Sequence, residues 1–131
     1  ELKIHGKMDA IIDTAEKVLV FDYKTKSAMS EAAIKGETKN DDGNYFRQLI
    51  FYKILLAESS FYRGQTIEPA LVFVKPDNKG RCPTVSIPIA AEDISRVKGE
   101  IGVLLESVWT GRILTETCGD PKCEYCQLMN L

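Results

Sequence analysis

Residues 18–24, Val-Leu-Val-Phe-Asp-Tyr-Lys, carry large apolar side chains at both parities of an extended segment. A strand that is apolar on both faces has to be covered on both faces, so Val18–Tyr23 reads as a central strand. Upstream, Leu2 to Ile12 alternates: Lys3, His5, Lys7 and Asp9 share one parity, and Leu2, Ile4, Met8 and Ile12 the other. That is a second strand. The turn-like run Asp13-Thr14-Ala15-Glu16 joins the two as a hairpin in which Asp13 pairs with Val18. Counted along that register, Asp9 lies opposite Asp22. A slip of one residue would put Asp9 opposite Phe21 and on the other face.

Beyond the hairpin, Thr25 to Gly43 is a polar loop with a short helix at Ala28–Ile34, long enough to suggest a functional role. Asn44 to Ser59 is apolar nearly all round and is predicted to be a mostly buried helix with Asn44 as N-cap. Strands follow at Ala70–Lys75 and Thr84–Ile89, the second pushed toward an edge by Pro83 and Pro88. Glu92 to Trp109 is a second helix with an apolar face of Ile94, Val97, Ile101, Leu104, Leu105 and Val108, stopped by Gly111. This order specifies an α/β fold with a mixed sheet. The predicted division is a core over 1–111 and a cysteine-bearing tail over 112–131.

The chain has 131 residues, 44% hydrophobic and 27% charged, with a net charge of −2. That balance excludes whole-chain disorder and blanket electrostatic coating of nucleic acid, but not an enzyme that grips phosphate at one place. No apolar run reaches the roughly 18 residues of a membrane span. The chain begins at Glu1 without a signal segment and is read as a piece of a longer, cytoplasmic protein.

Asp22 and Lys24, two apart on a strand, share a face. With Asp9 opposite, two carboxylates meet in a mainly apolar sheet, a repulsion that a divalent cation relieves. Hard oxygen ligands suit Mg²⁺ or Mn²⁺. Lys24 beside it would orient or deprotonate a water, or hold charge developing on phosphate. The simpler reading is a solvated sheet face. Gln48 and Tyr52, four apart, share one helix face with Asn44 a turn earlier. A Gln there needs partners, either in a site or from a neighbouring backbone.

Gly6-Lys7-Met8-Asp9, Asp22-Tyr23-Lys24-Thr25 and Gln48-Leu49-Ile50-Phe51-Tyr52 together resemble the PD-(D/E)XK nuclease superfamily. Its RecB-like branch, at the C-terminus of bacterial helicase–nucleases, is the nearest pattern. The resemblance implies a restriction-endonuclease-like mixed sheet flanked by helices, with the family's first helix lying before Glu1. It also implies Asp9, Asp22 and the backbone carbonyl of Tyr23 as metal ligands, Lys24 as catalytic lysine, and Gln48 and Tyr52 as site residues. The implied reaction is Mg²⁺- or Mn²⁺-dependent hydrolysis of DNA, as an exonuclease fed by an attached helicase during end processing, recombination or repair. Lys26 departs from the pattern, which often has Gly after Asp-Tyr-Lys-Thr. His5 is not the family's upstream acidic or histidine residue. A catalytically silent module of the same fold, which binds DNA or scaffolds a partner, is the alternative.

Cys118, Cys123 and Cys126 are spaced C-x4-C-x2-C, which suits a metal site lacking a fourth ligand. Some RecB-like nucleases hold an iron–sulfur cluster on C-x2-C-x5-C. From Cys123 and Cys126 its third cysteine would fall at position 132. Zinc or a cluster is therefore expected only in a longer protein, and free thiols in a reducing cytoplasm are the other reading. Were the cysteines the working site, the chain would be a metal-binding interaction module. Cys82 reads as structural.

Overall fold

The computed structural model describes residues 3–127. They fall into two compact units, divided between Ile94 and Ser95. The first unit holds a four-stranded sheet in the order β1 (Ala10–Asp13), β2 (Lys17–Lys24), β3 (Thr66–Phe73), β4 (Thr84–Ser86). The β1–β2 and β3–β4 pairs are antiparallel and the β2–β3 pair is parallel, so the sheet is mixed. The crossover from β2 to β3 carries α1 (Glu31–Lys35) and α2 (Asn44–Glu58). The expected α/β class and central placement of β2 hold.

The hairpin has the register read from the sequence: Asp13 pairs with Val18 and Ala10 with Phe21. Thr14 closes its loop, because its hydroxyl donates to the Lys17 carbonyl at 2.6 Å and accepts from the Lys17 N–H at 3.0 Å. The first strand is shorter than predicted. It begins at Ala10, and residues 3–9 form no ladder; Leu2 lies outside the described residues. The Tyr23 N–H that would have bonded the Met8 carbonyl goes instead to the Asp9 carboxylate, 2.7 Å away. Met8, released from the ladder, packs on a core of Val18, Val20, Tyr52, Leu56 and Ile67. Gly6 lets the lead-in segment run close to α2, since a Cβ there would lie 2.9 Å from Leu55 Cδ1.

In α2 Phe46, Leu49, Ile50, Tyr52 and Leu56 are buried, as the near-continuous apolar pattern requires. Its N-cap is Gly43 in the left-handed region, not Asn44; Asp42 accepts the Asn44 N–H at 3.0 Å. Gly36, the left-handed C-cap of α1, abuts Gly43: a Cβ on Gly36 would lie 2.5 Å from the Gly43 nitrogen. The two glycines pinch the chain so that residues 37–42 form a closed loop.

β3 starts four residues earlier than Ala70 because Pro69 does not break it. Phe73 donates its N–H to the Pro83 carbonyl on the β4 side, so by alternation the Pro69 nitrogen also faces that side. β4 pairs only with Ala70–Val72, and at Pro69 there is no ladder bond to lose. β4 is the expected edge strand but ends at Ser86 rather than Ile89.

Helix α3 (Ala91–Trp109) begins in the first unit and runs into the second. Of its predicted apolar face Val97 is buried, while Leu104 and Val108 are exposed. Gly111 is left-handed, as a helix stop requires, and is followed by a 3-10 turn (Arg112–Leu114) and α4 (Glu124–Gln127). Among the described residues, no helix is long and apolar enough to cross a membrane.

Candidate active site

The alternation of β2 turns Val18, Val20, Asp22 and Lys24 toward α2, whose Gln48 and Tyr52 share a face one turn apart. These polar groups form a closed set of bonds. Tyr52 donates its hydroxyl to Asp22 Oδ1 at 2.7 Å. Gln48 Nε2 donates to the same Oδ1 at 2.9 Å and lies 2.7 Å from the Tyr52 oxygen. Lys24 Nζ donates to Gln48 Oε1 at 2.8 Å and forms an ion pair with Asp22 Oδ2 at 2.7 Å. The Gln48 amide thus bridges the lysine and the carboxylate, which fixes which end is oxygen and which is nitrogen.

Asp22 is 5% exposed, a buried charge in a sheet whose neighbouring inward residues are apolar. Such a charge is retained only with close partners. Oδ1 has two hydrogen bonds. Oδ2 is buried and takes none. The Lys24 ammonium beside it supplies an ion pair at 2.7 Å. Burial first, then the hydrogen bond to Asp22 and the charges of Asp22 and Asp9, hold the Tyr52 hydroxyl well above its ordinary range. Tyr52 therefore stays a proton donor to Asp22 at any physiological pH.

Asp9 is exposed just before β1, with its carboxylate on the Tyr23 N–H. The N–H and C=O of one strand residue face the same edge, and Lys24 O bonds across to Val74 N on the opposite edge. The Tyr23 carbonyl consequently faces the β1 edge where Asp9 lies. Hard oxygens of Asp9, Asp22 and the Tyr23 carbonyl, with Asp22 Oδ2 held by the Lys24 ammonium and by no hydrogen bond, fit Mg²⁺ or Mn²⁺ in kind. The acidic pair does not depend on a cation for balance, however: the Tyr23 amide serves one carboxylate and Lys24, Gln48 and Tyr52 serve the other.

Tyr45 belongs to the site and was missed by the sequence reading. The Lys24 ammonium lies 4.3 Å from its ring centroid and that of Lys26 4.5 Å. Tyr45, Gln48 and Tyr52 recur on one helical face, but an aromatic at that spacing reads equally as core. Asn44, placed on that face by spacing, instead bonds Asp42 and Arg47 at the helix start. His5 is exposed in the lead-in segment.

In the second unit the thiols of Cys118, Cys123 and Cys126 all lie within 4.8 Å of one another. Cys118 and Cys126 are 3.4 Å apart, sulfur to sulfur, and the Cys118 N–H points at the Cys126 sulfur at 3.3 Å. Cys118 thus stands with the other two. Cys82 is exposed, with its thiol on the Val74 carbonyl at 3.5 Å.

None of the curated proteins and none of the solved structures matches the chain. The family model of the PD-(D/E)XK nuclease superfamily matches residues 1–131, and the chain belongs to that superfamily.

Proposed function

We propose that the chain is a DNA-cleaving nuclease domain that uses Mg²⁺ or Mn²⁺ held by Asp9, Asp22 and the Tyr23 carbonyl, with Lys24 as the catalytic lysine. The observation that carries this reading is Asp22 Oδ2, a buried carboxylate oxygen without a hydrogen bond beside a half-buried lysine. A cation bound there supplies Lewis-acid polarisation of the phosphate and an activated water. Gln48 and Tyr52 hold the Asp22 carboxylate by Oδ1, which leaves Oδ2 as the side given to the cation. Lys24, steadied by Gln48 Oε1 and the Tyr45 ring, offers its ammonium to the charge that builds on the phosphoryl oxygens or to the attacking water. The surrounding low dielectric strengthens both effects.

The resemblance of the motifs suggests the RecB-like branch, exonuclease mode and a helicase in the same polypeptide or complex, and the net charge of −2 is compatible with that reading. A domain fed its strand by a motor needs little basic surface of its own. We infer a role in DNA end processing, recombination or repair, and a cytoplasmic setting in which the four cysteines stay reduced. The Cys118, Cys123 and Cys126 thiols suit zinc or an iron–sulfur cluster once a fourth ligand is supplied by the longer protein. Residues 112–131 then act as a tail to a core over 1–111.

The test is cleavage of end-labelled DNA with Mg²⁺ or EDTA. Wild type should cleave only with the metal, and Lys24→Ala should bind DNA as well as wild type without cutting it. Equal inactivity of both, with binding intact, would favour the silent binding module, whose Asp22 is already neutralised by Lys24.

A further inference from the structure

Beside the site a cleft of about 340 Å³ opens between the pinched loop and the start of α2. Its walls are Asn40, Asp41, Asp42, Asn44 and Lys26, and its apolar lining is Met29, Ala33 and Ile34. Tyr45 borders both places: it lines the cleft, and its ring carries the Lys24 ammonium. The cleft is therefore one side chain away from the lysine proposed to act on the phosphate.

The lining decides what fits. Two carboxylates against one ammonium repel a phosphate. Thr38 bonds Asp41, and Asn44 bonds Asp42, so both carboxylates are held in place within the loop. The Asn40 amide offers a donor and an acceptor, and the Asp41 and Asp42 carboxylates offer further acceptors, a mix that suits the edge of a nucleobase. Tyr45, Met29 and Ala33 on the lining, over the buried Ile34, suit the faces of a flat heterocycle. The volume is at the lower end of small-molecule sites, right for one base and its sugar and too small for a base pair with its backbone.

We propose that this cleft receives a single unpaired nucleobase of the substrate, from the nucleotide next to the cleaved bond. Lys26 stands at the rim, over Tyr45, where the backbone of that nucleotide would pass. The inference rests on the nuclease reading and narrows it: the strand entering the site is single, or frayed at its end, because a stacked and paired base cannot enter.

The experiment uses single-stranded oligodeoxynucleotides with one 2-aminopurine moved along the sequence, bound to the chain in EDTA so that nothing is cut. Emission should rise at one position, where the base leaves the stack, and the rise should vanish in Ala33→Trp, which fills the cleft, and in Asn40→Ala, which removes a wall amide. The melting temperature of each variant checks folding, and Asn40→Ala carries the test if the tryptophan does not fold. With Mg²⁺, an oligonucleotide abasic at that position should be cut roughly 10- to 100-fold more slowly, the worth of one base–aromatic stack. Uniform emission at every position, or a rise that survives in the variants, overturns the proposal. Equal cleavage of abasic and intact strands overturns it too and leaves the nuclease standing. A position-specific rise with no cleavage of either strand supports the cleft and refutes the nuclease.

Discussion

Replacing Lys24 with Met keeps the length of the side chain and removes its charge. The loss exposes the competition built into the site, because Lys24 lies 2.7 Å from the same Asp22 oxygen that a cation would take. The two side chains are 16% and 7% exposed, so solvent screens the pair poorly. Stranding a buried carboxylate by removing its partner costs about 3–5 kcal/mol. At pH 7 the melting temperature should fall by roughly 10–15 °C. Mg²⁺ then has a stronger hold on the variant than on wild type, since no ammonium has to leave Oδ2. Thermal melts of both proteins across an MgCl₂ series at pH 7 read both quantities. Equal stability of Lys24→Met and wild type without metal would refute the buried ion pair. An equal Mg²⁺ shift in both would refute the competition for Oδ2.

Asp9→Asn keeps an oxygen for the Tyr23 N–H and loses the charge. Its melting temperature should stay within the equivalent of about 1 kcal/mol, while Mg²⁺-dependent cleavage drops by roughly 100-fold or more. Tyr52→Phe removes a buried donor to Asp22 and should cost about 1.5–3 kcal/mol at neutral pH in a denaturant titration. The raised Tyr52 hydroxyl gives a second readout with a definite sign: the unfolded chain releases its proton first, near the ordinary value of 10.0, so this part of the stability is full below pH 10 and is lost above it. The gap between wild type and Tyr52→Phe should narrow as pH rises past that point. Gly36→Ala should destabilise by more than Gly64→Ala, because both glycines are left-handed but only at Gly36 does the new Cβ strike backbone, at 2.5 Å. Paired melts of the two variants measure the difference.

The hairpin register was legible because Asp13-Thr14-Ala15-Glu16 left a single short loop between two alternating segments, and the observed pairs follow it from Asp13–Val18 to Ala10–Phe21. The pairing of Asp22, Lys24, Gln48 and Tyr52 was legible for a similar reason, since strand and helix periods each put two of them on one face. The end of β1 was not. A side-chain carboxylate standing in for a backbone carbonyl leaves no periodic trace, and Asp9 reads as one more alternate polar residue. Pro69 hid the first half of β3, because its harmlessness depends on where β4 stops, which is a tertiary fact. Asn44 looked like a cap by residue type, but the left-handed Gly43 and the Asp42 carboxylate already meet the helix start. Tyr45 was passed over as core, since nothing local distinguishes an aromatic that holds two ammonium groups from one that packs. The convergence of three thiols depended on folding of the segment between Cys118 and Cys123, which spacing does not fix.

On the proposed function, a divalent cation occupies the oxygens beside Lys24. Anomalous diffraction from crystals grown or soaked with Mn²⁺ locates that ion directly. A peak bounded by the Asp9 and Asp22 carboxylates and the Tyr23 carbonyl, with Lys24 drawn off Oδ2 onto Gln48 and absent in Asp22→Asn, is the predicted result. Mn²⁺ found elsewhere while Lys24 keeps its 2.7 Å contact with Asp22 would contradict it.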